Sequence, residues 1–250
     1  MKFINRFKKK IIKQFIGKNF WINYFKVYDS LNDSISYQKL KERIIKETNI
    51  EIKSKILDAG CGTGNYIIDI YNKGADYYGI DNILEVISIA KRKAPFLDEN
   101  NICFSNLGQH LSFDNNYFDR IICNNVLYTM SEKDRTMAIQ EFFRVLKPGG
   151  IAVMTFPKKG YRPYKIYLET IRLSIKKNGR LNSFIKAIYM TLPTAKIMFY
   201  NYLLNLKAEK GKFHYYKRNE LLDFFKNIEF NEIKLFSVYA GETFLVKIIK

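Results

Sequence analysis

From Lys55 onward the chain alternates two hydrophobic rhythms. Short apolar runs predict strands at 55–59, 77–81, 101–104, 118–123 and 151–156, and stretches of helical period predict helices at about 64–73, 83–93 and 131–146 between them. Strand and helix in strict alternation imply a parallel sheet with helices on both faces. Ser131 opens its helix with Asp134 three residues on, in the manner of a capping box, and Lys147-Pro148-Gly149-Gly150 stops it. Near the end, Asn219 is expected to cap a short helix that buries Leu221, Leu222, Phe224 and Phe225. Closing strands at about 229–238 and 242–249 would bring the sheet to seven strands, mostly parallel.

The flanks follow other patterns. Residues 3–16 set Phe3, Phe7, Ile11 and Phe15 four apart with Lys8, Lys9, Lys10 and Lys13 around them, a basic amphipathic helix. Two readings stay open for it, a membrane interface or packing on the protein's own core. A further helix is expected at about 35–48. Residues 157–218 carry amphipathic helical patterns punctuated by Asn178-Gly179, Pro193 and Gly211, which reads as a helical insertion, a lid. Its apolar stretch 187–206 contains Pro193, Lys196, Asn201 and Asn205, so it is not expected to span a membrane. The organisation expected is an N-terminal helix and cap (1–50), a core (51–156), the basic aromatic insertion (157–212), and a C-terminal helix with closing strands (213–250). No internal repeat is visible.

Charge changes this picture by its distribution. The formal net charge is +18, but residues 1–28 hold eight Lys/Arg with no acid, and residues 157–218 hold fifteen Lys/Arg against Glu169 and Glu209. The strand-and-helix core is close to neutral. A surface basic in two segments favours anionic partners, whether membrane headgroups, nucleic acid or acidic substrates. Cys61, Cys103 and Cys123 have no metal-ligand spacing and His110 and His214 are the only histidines, which argues against a structural zinc or a disulfide framework, and no carboxylate cluster suggests a catalytic magnesium. A cytoplasmic protein, peripheral at the inner membrane face if the basic segments dock there, fits this usage; no signal peptide is read at the N-terminus.

The chemistry enters at Ile56-Leu57-Asp58-Ala59-Gly60-Cys61-Gly62-Thr63-Gly64, a strand running into a glycine-rich turn that opens a helix. Alternate glycines allow a tight turn and close approach to a ligand, and the helix behind offers unpaired N–H groups. The spacing is G-x-G-x-G, not the G-x-G-x-x-G of dinucleotide sites. Asp81 ends the second strand seventeen residues beyond Gly64, where a carboxylate can accept bonds from ribose hydroxyls. Written as D-x-G-x-G-x-G after a strand, the turn resembles the first motif of class I S-adenosylmethionine-dependent methyltransferases, type 11, and Tyr78-Gly79-Ile80-Asp81-Asn82 resembles the second. Residues 106–119 resemble the family's third stretch, with Leu107 where an acid is usual and Ser112 where proline is usual. Cys123 to Met130 and Arg144-Val145-Leu146-Lys147-Pro148-Gly149-Gly150 resemble the fourth and fifth.

The resemblance implies a Rossmann-like fold, S-adenosyl-L-methionine as cofactor, and a contact set of Asp58, Ala59, Gly60, Cys61, Gly62, Gly64, Asp81, Asn82, Leu107, Gly108 and Asn124, with adenine read through Leu107 and Gly108 or through Gln109. It also puts Tyr28 near cofactor or substrate. Methyl transfer relies on positioning more than on an obligatory base. Tyr128, at the family's post-strand histidine position, and His214 are the catalytic candidates. Base methylation of DNA through a D/N/S-P-P-aromatic motif is disfavoured by Asn124-Asn125-Val126-Leu127. The expected activity is methylation of O or N on a small or lipid-linked metabolite. The alternatives are tRNA modification, in which interleaved Lys and Tyr at 212–217 would serve, and a non-catalytic scaffold of the same fold.

Overall fold

A computed structural model describes residues 34–209, 213–226, 228 and 230–250, with residues 20, 23–25, 27, 29 and 32, and the backbone alone at 178, 180–194 and 205–209. The expected helix at 3–16 and Tyr28 lie outside the described residues. In chain order the elements are α1 (Ile35–Thr48), β1 (Lys55–Ala59), α2 (Ile67–Tyr71), β2 (Asp76–Asp81), α3 (Leu84–Lys93), β3 (Ile102–Phe104), β4 (Phe118–Asn124), α4 (Glu132–Val145), β5 (Leu146–Pro157), α5 (Pro163–Glu209), α6 (Arg218–Lys226), β6 (Glu232–Val238) and β7 (Thr243–Ile249).

The seven strands form one sheet in the order β3-β2-β1-β4-β5-β7-β6, with β7 antiparallel to both neighbours and the rest parallel. Side-chain alternation divides the core between the two faces. Leu57, Ile121 and Met154 pack with Phe142 and Val145 of α4 and Phe225 of α6. Ile56, Ile122 and Val153 pack with Leu40 and Ile44 of α1, Ile70 of α2 and Ala90 of α3. The order in which strands are added reverses between β1 and β4, so the carboxyl ends of these two parallel strands flank the crevice where such folds bind ligands.

Several boundaries differ from the sequence expectation for local reasons. The helix expected from 64 is confined to Ile67–Tyr71, because Gly60, Gly62 and Gly64 hold φ of 78°, 53° and 77° and the turn persists through them. Lys147-Pro148-Gly149-Gly150 follows the end of α4 as expected, but β5 already begins at Leu146, five residues before the expected strand. The segment bulges within β5, with Phe118 opposite Leu146 and Arg120 opposite Ile151, and the Gly149 N–H donates to the Lys250 carbonyl at 2.8 Å. Ser131 does cap α4, its Oγ accepting from the Asp134 N–H at 3.2 Å and donating to the Asp134 carboxylate at 2.7 Å. Asn219 does not cap α6. The helix starts one residue earlier, and Glu220 in its first turn accepts from the Lys217 N–H at 3.2 Å, as the third residue of a capping box does.

α5 is two helical segments meeting at Gly179, whose φ of 76° and ψ of 169° are not helical, while the helix continues through Pro193. Gly211 lies outside the described residues. The first segment joins α1 through the Thr170 hydroxyl, which lies 3.1 Å from Ser34 Oγ and donates to Ser36 Oγ at 2.9 Å. Glu242, buried at the start of β7, accepts from the Arg162 N–H at 2.8 Å and pairs with Lys165 at 2.9 Å. In the second segment, Leu203 and Leu204 are buried against Phe20, Tyr128 and Phe213. Among the described residues no helix is long and apolar enough to cross a membrane.

Candidate active site

The glycine turn is held from below by β2. The N–H groups of Gly60 and Cys61 both donate to the Ile80 carbonyl, at 2.8 and 3.0 Å. Asp81 then uses both carboxylate oxygens as a bracket: Oδ2 accepts from the Gly62 N–H at 2.9 Å and Oδ1 from the Ile83 N–H at 3.0 Å. Turn and strand end are therefore one rigid unit, and the carboxylate keeps lone pairs for further donors. The glycines are required by the protein's own packing. A Cβ at Gly60 would collide with Val126, and one at Gly62 would lie 2.7 Å from Phe25 Cε1, both beside a left-handed backbone.

Asp58, at the end of β1, is buried, and the Tyr77 hydroxyl donates to its Oδ2 at 2.9 Å. Gly79 leaves the room for that hydroxyl, since a Cβ there would come within 2.8 Å of it. Burial is the main cause that pushes the Asp58 carboxyl up to about 7, opposed by the Tyr77 bond and reinforced by the negative charge of Asp81. Asp81 is raised as well, again chiefly by burial and against its backbone donors. Two partly desolvated carboxylates thus share one floor, an arrangement that calls for a cationic or hydroxyl-bearing guest.

Above this floor lies a cavity of about 410 Å³, within the range of cofactor and small-molecule sites. Of the residues expected from the sequence, Asp58, Gly60, Cys61, Gly62, Asp81, Asn82, Leu107, Asn124 and Tyr128 line it. Ala59 and Gly64 sit behind the lining, where Gly64 leaves room for Ile67 and Ala90. Gly108 and Gln109 do not reach it. The Gly108 N–H is turned to Asn106 Oδ1 at 3.1 Å, so Ser105, Asn106 and Asn82 offer the polar groups on that side. Asn124 is fixed by the Thr155 hydroxyl, which donates to its Oδ1 at 2.6 Å.

The structure does not bring His214 to the cavity. Its ring lies 2.5 Å from Glu220 Oε1 and against Tyr216, half-exposed, while Phe213 faces inward. The His214 backbone N–H donates to the Tyr128 carbonyl at 2.8 Å, so the segment holds Tyr128 from behind. Tyr128 itself is buried, with ring contacts to Phe213 at 6.0 Å and Tyr215 at 5.6 Å. Sequence reading missed the apolar part of the lining, formed by Tyr24, Phe25, Tyr37, Tyr66, Met130 and Phe213. It also missed Asp29, which pairs with Lys93 at 2.7 Å and accepts from Thr63 of the turn at 2.5 Å. These residues come from distant parts of the chain and carry no shared spacing. A smaller cavity of about 40 Å³ shares Tyr24, Tyr37, Asn125 and Tyr128 with the first. Among the described residues, no cluster of His, Cys, Asp and Glu could hold a metal ion.

The cavity fits S-adenosyl-L-methionine on the chemistry of its groups: buried carboxylates for the ammonium, sulfonium and ribose hydroxyls, with the side chains of Asn82 and Asn106 as further polar groups on its lining. Comparison with known proteins agrees. A methyltransferase domain family matches residues 57–154. The demethylmenaquinone methyltransferase of Staphylococcus haemolyticus is 25% identical over 220 residues, covering 86% of this chain and 85% of that protein. Among solved structures, a TehB-like SAM-dependent methyltransferase from Corynebacterium glutamicum superposes with a TM-score of 0.59 at 18% identity, over 94% of this chain and 100% of that one. A SAM-dependent methyltransferase from Aquifex aeolicus gives 0.55 at 17%, over 84% and 88%. With the strand order, the glycine turn and the carboxylate floor in place, residues 57–154 are a methyltransferase domain and the chain is a class I S-adenosylmethionine-dependent methyltransferase.

Proposed function

We propose that the methyl acceptor is a small or lipid-linked metabolite carrying a flat ring, of the kind named by the demethylmenaquinone methyltransferases that this chain resembles. The observation that carries this reading is that Tyr24, Phe25, Tyr37, Tyr66 and Phe213 line the same cavity as Asp58 and Asp81. Such a lining holds a planar apolar ring by stacking and edge contact. We take α5 as the lid, because its buried Leu203 and Leu204 pack with Tyr128 and Phe213, which both line the cavity.

When bound, S-adenosylmethionine supplies a methyl group on a sulfonium. The chain's own residues do the rest by position: Asp58, Asp81 and the glycine turn would hold the cofactor, and Asn82, Asn106 and Leu107 would flank its base. Tyr128, fixed from behind by the His214 N–H, would orient the acceptor, and the lid would exclude water. His214 serves there through its backbone, and no side chain is assigned as an obligatory base.

The test is transfer of radiolabelled methyl into demethylmenaquinone and into fractionated lipid, small-molecule and RNA extracts. Label in the quinone or lipid fraction supports the reading. Label confined to RNA would replace it with tRNA modification, and binding of S-adenosylmethionine without transfer to any fraction would leave a scaffold role.

A further inference from the structure

α5 is more apolar than a helix that buries one face requires. In its first segment Ile166 and Ser174 are buried, and Thr170 is bonded to α1. Helical spacing puts Tyr164, Leu168 and Ile175 together on a different face, and they are 46%, 58% and 42% exposed. Exposed Arg172 and Lys176 border that stripe. The second segment repeats the division: Ile197, Leu203 and Leu204 are buried, while Met198 and Tyr202 on the opposite side are 37% and 49% exposed. Single exposed apolar residues are ordinary, but periodic ones along two successive segments are not scattered.

The charge of the same region selects the partner. Residues 157–218 hold fifteen Lys/Arg and two acids, so the partner is anionic. Nucleic acid offers phosphates and stacking surfaces, for which Leu168, Ile175 and Met198 are the wrong chemistry. A lipid surface satisfies both halves of the pattern, taking aliphatic side chains into its acyl boundary and basic ones at its headgroups. We propose that the outward face of α5 docks on an anionic phospholipid bilayer, lying in the interface without crossing it. This deepens the lipid-linked acceptor reading, on which it rests for its purpose, since docking through the lid sets the cavity's cover at the membrane.

The experiment is flotation of the full chain with vesicles of phosphatidylglycerol and phosphatidylcholine, and with phosphatidylcholine alone, at low and high salt. The expected result is binding to the anionic vesicles that weakens with salt. It should fall at least tenfold in Leu168→Ser/Ile175→Ser and about tenfold to thirtyfold in Arg172→Ser/Lys176→Ser. Calorimetry with S-adenosylmethionine should be unchanged in the second pair, whose residues are exposed, which separates lost docking from lost folding. Undiminished flotation of both variants would place the lipid contact elsewhere in the chain and overturn the proposal. Salt-independent binding to neutral vesicles, or capture of bulk RNA with no flotation, would overturn it too. Methyl transfer to a detergent-solubilised quinone tests the acceptor apart from docking. Transfer without vesicle binding sinks the docking alone, and vesicle binding without transfer sinks the acceptor reading alone.

Discussion

Replacing Asp58 by Asn should stabilise the cofactor-free protein near neutral pH while weakening its grip on the cofactor. The Asp58 carboxyl titrates at about 7 in the fold against an ordinary value of 3.8, with burial as the main cause. A raised folded value means that the native chain keeps a proton which the unfolded chain releases from about pH 4 upward. The stability linked to this group is therefore full in acid and is lost as pH rises through 7. The difference of about 3 units corresponds to about 4 kcal/mol at the alkaline end. An amide keeps the acceptor for the Tyr77 hydroxyl but adds N–H donors that need partners, so a net gain of about 1–3 kcal/mol is expected at pH 8. Urea denaturation of both proteins at pH 5 and pH 8 measures it. The Asn variant should be the more stable at pH 8, with the difference shrinking or reversing at pH 5. A variant equally destabilised at both pH values would show that the buried charge is no burden and refute the reasoning.

Four further substitutions have expected outcomes. Gly62→Ala forces a side chain into a φ of 53° with Phe25 Cε1 only 2.7 Å away, so urea denaturation should show a loss of about 1–2 kcal/mol or more. Calorimetry should show weaker cofactor binding as the Asp81 bracket shifts. Glu141 is held down to about 2 mainly by the Arg144 guanidinium, with the Leu111 N–H donating to it at 2.8 Å. Its folded value is below the ordinary one, so its contribution is present above about pH 4.5 and is lost toward pH 2; Glu141→Gln should flatten the acid-unfolding curve in that window. Tyr128→Ala should raise KM for the acceptor and lower kcat about tenfold or more, while His214→Ala should leave steady-state kinetics within a few-fold, since its ring pairs with Glu220 outside the cavity.

Much of this molecule is readable in its sequence where a rule is local. Short apolar runs locate β1, β2, β4 and β7 because a core on each face of the sheet buries successive side chains. The glycine turn and Asp81 are legible because their spacing belongs to one strand–turn–helix unit. What escapes is non-local or competes with a local rule. Phe25, Tyr37 and Phe213 reach the cavity from three separate stretches, and only the tertiary fold makes them neighbours. Gly108 reads as a ligand contact, yet a Cβ there would lie 2.8 Å from Asp134, so it is glycine for packing against α4. The bulge at 147–150 hides in a turn-like sequence because Lys250 supplies the missing ladder partner from the far end of the chain. His214 draws attention by residue type, and Glu220 six residues on turns it away.

Calorimetric titration of the full chain with S-adenosylmethionine at pH 7, in buffers of different ionisation enthalpy, shows whether the paired carboxylates under the glycine turn hold the cationic cofactor. Single-site binding with net proton release is expected, because the incoming positive charge ionises Asp58, whose carboxyl burial pushes up to about 7. Binding should be lost or greatly weakened in Asp81→Ala. Absence of binding, or binding unaffected by Asp81→Ala with no proton released, would contradict the account.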